Sequence, residues 1–167
     1  MTDAPTLDVV RRGEDEIVIV RALAAPRTLV YEAYTTPALL ERWLGPRTWE
    51  LATCDLDVRV GGAFRYEMHG PDGAVMTWSG TYREVDPPTR LVTTEVFDDD
   101  WTGGGTINTV DLTEHVVGGV VTTTVTTTVR YSSSAARDAA LSTGMSAGMA
   151  EGYRRLDDLL AAMGGAS

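Results

Sequence analysis

The sequence predicts an α+β fold: an antiparallel meander of strands followed by one long helix, with two short helices after the first strand. Three observations carry this. From Trp49 to Tyr131 the apolar residues recur with a period of two, cut by Gly, Pro and Asp turn residues. From Ser134 to about Met163 the period turns helical: Leu141, Met145, Met149, Leu156, Leu160 and Met163 make one stripe. Before the meander, Pro26 and Pro37 each open a short segment with an apolar face.

Taken in order, "EIVIVRAL" (16–23) is rich in β-branched residues and reads as a strand, with "TLDVVRR" as a short partner across the "GEDE" turn. Pro26 suits the first position of a helix over "PRTLVYEAY", because its missing N–H would find no partner there anyway. Thr36 and Pro37 repeat the device as cap and first residue of "PALLERWL", which Gly45-Pro46 ends. "CDLDVRV" alternates Cys54, Leu56, Val58 and Val60 against polar residues, then Gly61-Gly62 turns the chain into "AFRYEMH". "GPDG" (70–73) is a hairpin signal before "AVMTWSGTYREV", and Pro87-Pro88 precedes "RLVTTEVF". "TINTVDLTEH" follows the "DDDWTGGG" tip, and Gly118-Gly119 leads into "VVTTTVTTTVRY" (120–131). Thr and Val lose rotamer freedom in a helix, so that last run reads as a strand. Val121, Thr123, Val125, Thr127 and Val129 then share the inward face.

The chain has 167 residues with 43% hydrophobic and 23% charged, a soluble composition that fits a single domain over 1–167. Its net charge of −10 disfavours nucleic acid and anionic membrane surfaces as partners. No apolar run approaches the length of a membrane span. The N-terminal stretch lacks a basic start followed by an apolar core, so no signal peptide is expected and a cytoplasmic location is the default.

Cys54 is the only cysteine, which excludes an internal disulfide and a cysteine zinc cluster, and its place on an apolar strand face reads as an inert buried thiol. His69 and His115 each sit near a turn, and Asp98-Asp99-Asp100 lacks the alternating ligand spacing of a calcium loop. Gly103-Gly104-Gly105 has no helix after it to hold a phosphate. No metal or cofactor is therefore expected. Gly144, Gly148 and Gly152 form a stripe on the long helix, read either as close packing against sheet backbone or as room for a cavity or a flexing lid.

The element order is that of the helix-grip fold. "APRTLVYEAYTTPALLERWLGP", "CDLDVRVGGAFRYEMHGPDG", "GTYREVDPPTRLVTTEVFDD" and "ARDAALSTGMSAGMAEGYRRLDDLLAAM" resemble bacterial members of the family named after the activator of the heat-shock-protein-90 ATPase. That family lies within the START-like (SRPBCC; polyketide cyclase, lipid transfer) superfamily, and the resemblance covers residues 7–163. It implies a curved sheet wrapped around the C-terminal helix with a cavity between them, used in the superfamily for apolar small molecules and in some branches for chemistry. The family is functionally mixed, so fold does not settle function.

On that reading the inward strand faces supply the walls: Phe64, Tyr66 and Met68; Met76 and Trp78, with Tyr82; Asn108; Thr123 and Thr127, with Met145 and Met149 opposite on the helix. For "RLVTTEVF" two parities stay open. Either Thr93, Glu95 and Phe97 point in, or Val92, Thr94 and Val96 do. The first buries Glu95 as a candidate general acid or base, with Tyr66 the other catalytic candidate. Three functions follow: binding of an apolar or amphipathic small molecule, a cyclase-, dehydratase- or hydrolase-type enzyme, or a chaperone-interacting module. No exposed apolar patch is visible for the last, and the chain is expected to be a monomer or homodimer.

Overall fold

The computed structural model describes residues 7–99 and 104–164; Asp100 of the acidic tip and Gly103 of the glycine run lie outside the described residues. Eight strands make one antiparallel sheet: β1 (Asp8–Arg12), β2 (Glu16–Leu23), β3 (Glu50–Leu56), β4 (Ala63–His69), β5 (Val75–Asp86), β6 (Arg90–Phe97), β7 (Thr106–Val117) and β8 (Val120–Arg130). Their spatial order is β1-β2-β8-β7-β6-β5-β4-β3. The meander β3 to β8 thus runs back until its last strand pairs with β2. Helices α1 (Arg27–Thr35) and α2 (Pro37–Trp43) bridge β2 to β3, and α3 (Ser134–Leu141) and α4 (Met145–Gly164) follow the sheet. This is the α+β helix-grip fold that the pattern predicts.

The predicted single C-terminal helix is two helices. Ser133 caps α3: its Oγ accepts the Ala136 N–H at 3.0 Å. The helix then ends as the Ser142 and Thr143 hydroxyls donate to the carbonyls of Ala139 and Ala140. Gly144, at φ +79°, takes a left-handed conformation that no helix continues through. Gly152 has a different role: a Cβ there would sit 3.2 Å from the Trp43 carbonyl and 3.3 Å from the Gly45 nitrogen. The glycine that matters for packing therefore seats α4 on the loop after α2, not on the sheet.

Two more boundaries differ. β3 begins at Glu50 and ends at Leu56, so the 57–62 segment is a turn and Val60 is exposed. Arg59 Nε donates to the Asp57 carboxylate at 2.9 Å across that turn, and Gly62 closes it where a Cβ would lie 1.9 Å from the Asp57 carbonyl. Alternating polarity in a tight turn had imitated a strand. At α1 and α2 the caps are Pro26 and Thr36, and neither makes a side-chain cap bond.

The core lies between the inner sheet face and the helices. Ile17, Ile19 and Leu23 of β2 and Val125 of β8 are fully buried against Leu156, Leu159 and Leu160 of α4 and Val30 and Ala33 of α1. Three polar ties fix α4 in place. The Arg21 guanidinium, 2% exposed, pairs with Asp157; Tyr34 and Tyr153 hydroxyls meet at 3.2 Å; Arg155 donates to the Gly45 carbonyl at 2.8 Å.

Thr123 is wholly buried, and its hydroxyl donates to the Ala25 carbonyl at 2.7 Å, fastening β8 to the loop before α1. Thr123→Val keeps the shape but strands that carbonyl. Chemical denaturation should show a loss of about 1–2 kcal/mol. Thr127→Val, at a hydroxyl with no hydrogen bond among the described residues, should be near neutral by the same measurement.

Candidate functional site

The register resolves the β6 ambiguity. Leu91 is in the core and Phe97 packs on Trp78 with ring centroids 5.7 Å apart, so Thr93 and Glu95 share their inward face. Val92 is buried on the opposite face and Val96 is exposed there. The inner faces of β4 to β8 then form ordered rows. Tyr82, Thr93, Asn108 and Val129 lie side by side; Glu95 faces Thr106; Tyr66, Trp78 and Phe97 make the next row.

That surface is a ladder of rings. Successive centroids from Tyr82 to Phe64, Tyr66, Trp78 and Phe97 are 5.5, 5.4, 5.1 and 5.7 Å apart, within the range of favourable aromatic pairs. Of the residues named from sequence, Phe64, Met68, Trp78, Thr123 and Thr127 are buried. Tyr66, Met76, Asn108, Met145 and Met149 are half-buried, as are Thr93, Glu95, Phe97 and Val110 beside them. The cause is the uneven cover given by α4. Its second half is packed tightly over β2 and β8, whereas its first turns, carrying Met145 and Met149, stay half open. The half-buried inward residues lie between those turns and the β4–β7 side of the sheet.

Where β6–β7 pairing stops at Glu95 and Thr106, a hollow of about 320 Å³ opens at the strand ends, lined in part by the outward residues Thr94, Val96, Ile107 and Arg130. Glu95, Thr106, Tyr131, Thr94, Ile107 and Arg130 contribute to its lining. Asn108 Nδ2 donates to Thr106 Oγ1 at 3.1 Å, and the Tyr131 hydroxyl points to Met145 Sδ at 3.8 Å. Among the described residues nothing donates a hydrogen bond to the Glu95 carboxyl and no cation pairs with it. Desolvation alone pushes that carboxyl up to about 7. Burial likewise raises the Tyr66 hydroxyl well above its usual value and the Tyr131 hydroxyl to about 12, so both remain neutral donors.

The other sequence candidates lie elsewhere. Cys54 is half-buried, its thiol pushed up to about 11 by burial, and it stays a thiol at neutral pH. His69 is exposed beside Glu67, and Asp98 is paired with Arg65 at 2.8 Å. Among the described residues no three His, Cys, Asp or Glu come together as a metal site. No described helix is long and apolar enough to cross a membrane. The tip of the β7–β8 hairpin, by contrast, exposes Val116, Val117, Val120 and Val121, an apolar patch that the sequence reading had not found.

The model of the Activator of Hsp90 ATPase homolog 1-like protein family matches residues 24–161. The chain belongs to that family. Solved structures agree with the assignment. A crystal structure of a Rhodobacter sphaeroides protein is 32% identical, with a TM-score of 0.83, covering 94% of this chain and 99% of that one. A Mycobacterium smegmatis crystal structure is 27% identical with a TM-score of 0.78, covering 94% and 97%. An Arthrobacter aurescens solution structure is 26% identical with a TM-score of 0.77, covering 92% and 91%. No match was found among curated proteins. As a family member, the chain shares their fold from β2 to α4, and its residues at the hollow must carry any more specific argument.

Proposed function

We propose that the protein binds an apolar or amphipathic small molecule in the furrow between the β4–β7 inner face and the first turns of α4. One observation carries this: inward residues of four adjacent strands, and the two methionines opposite them, are half-buried, whereas Ile17, Ile19, Arg21 and Leu23 of β2 and Thr123, Val125, Thr127 and Val129 of β8 are buried. A mostly apolar concavity with a few placed polar groups is the usual form of a small-molecule site. Methionine adapts to ligands of varied shape.

Nile red titration tests it. Saturable one-to-one fluorescence enhancement is expected, with competition by decanol. Thr93→Trp, which fills the furrow from β6, should weaken binding by about tenfold or more while the protein still unfolds cooperatively. No saturable binding by either probe overturns the reading.

Two other readings each have an observation in their favour. An unpaired inward Glu95 beside Tyr66 suits general acid–base catalysis in the same furrow. The exposed valine tip supplies the kind of surface that a chaperone-interacting module requires.

A further inference from the structure

The inner face around Glu95 holds an unusual combination. The hydrogen-bonding side chains near this β6 carboxyl on that face are neutral: Thr106, its β7 neighbour, with Asn108 bonded to it, Tyr66 on β4, and Tyr131 after β8. Buried carboxylates are normally paired or hydrogen-bonded, because an isolated charge in a poorly hydrated site is costly. None of the ion pairs among the described residues involves Glu95. Arg21 is bound to Asp157, Arg65 to Asp98, and Arg90 to Glu84 and Asp111. Arg130 reaches the rim of the hollow, but it is a β8 outward residue, largely in solvent and 3.5 Å from Asp15. The chain contains no lysine. The Tyr66 ring is near the carboxyl and packs on Trp78 with centroids 5.1 Å apart, and aromatic faces attract a cation. The net charge of −10 draws cations to the molecule and repels anions.

We propose that the furrow selects a protonated amine carried on an apolar body, with the Glu95 carboxylate as its counter-ion and the Tyr66 and Trp78 rings as its wall. This rests on the small-molecule reading above and names the ligand class. The amine replaces the partner that the fold withholds from Glu95, and the apolar body lies against the aromatic ladder and the methionines of α4. Binding is therefore tied to ionisation: the amine takes Glu95 as a carboxylate, so near neutral pH its arrival releases a proton from the protein. Tyr66 and Tyr131, whose hydroxyls burial pushes up, do not change charge in that range.

Three indoles of matched shape separate the outcomes by calorimetry at pH 8: tryptamine as the cation, 3-ethylindole as the neutral form, and indole-3-propionate as the anion. Tryptamine is expected to bind at least about tenfold more tightly than 3-ethylindole, with the propionate weakest. The preference should vanish in Glu95→Gln, whose cooperative unfolding reports an intact fold. It should also shrink at pH 5.5. Equal or tighter binding of 3-ethylindole or of the propionate overturns amine selection while leaving the small-molecule reading in place. Failure of all three to bind overturns both.

Discussion

The thermal midpoint of the protein is expected to fall as pH rises from 5 to 8, and Glu95→Gln is expected to abolish most of that fall. The Glu95 carboxyl titrates near 7 in the folded chain against an ordinary value of 4.5, with desolvation as the cause. Between those two values the folded state binds more protons than the unfolded state, so stability declines with pH. The contribution is fully present below pH 4.5, is lost progressively through the interval, and is absent above about pH 7. The full shift corresponds to at most about 3 kcal/mol, and partial access of water to the hollow reduces it. Glutamine resembles the protonated acid in shape, so the variant should match the wild type at pH 5 and exceed it at pH 8. Midpoints measured across this range for both proteins decide it; parallel curves would mean that the Glu95 carboxyl is better solvated than its position indicates. The same loss of stability at pH 8 is what an amine ligand would reverse.

Glu95 also marks the limit of what the sequence reveals. The inward faces of β4, β5, β7 and β8 follow from simple alternation, because one face carries large apolar groups and the other short polar ones. In β6 each face mixes apolar and polar residues, Leu91, Thr93, Glu95 and Phe97 against Val92, Thr94 and Val96, and the outer face itself buries Val92, so polarity does not distinguish them. Only the register with Tyr82 and Asn108 does. The break at Gly144 was hidden for a related reason. Leu141, Met145 and Met149 keep helical spacing across it, and the "STG" that ends α3 resembles the small residues that continue α4. The resemblance implies a cavity between sheet and helix, but where α4 is seated is set by contacts distant in sequence that spacing does not show: Gly152 on the loop after α2, Tyr153 on Tyr34, and Asp157 on Arg21.

The last of those contacts yields the other large expected effect. Arg21 alternates with Ile17, Ile19 and Leu23 on the inward face of β2, a position where a strand normally places an apolar residue. Its guanidinium bonds the Ala22 carbonyl at 2.6 Å and both carboxylate oxygens of Asp157, which is the only ion-pair partner it has among the described residues. Removing the acid leaves a charge buried without compensation. Asp157→Ala should therefore cost about 3 kcal/mol, the lower end for a broken buried pair because Asp157 is itself one-third exposed. For a domain of this size that lowers the thermal midpoint by roughly 10 °C. Arg21→Met removes the charge along with its need for a partner, and should cost no more than about 1 kcal/mol, alone or combined with Asp157→Ala. A double variant as unstable as Asp157→Ala would show that the aspartate contributes through something other than Arg21. The pair is better placed to fix geometry than to add stability. An ion pair between β2 and the second half of α4 holds that end of the helix down, while the end carrying Met145 and Met149 stays half-buried.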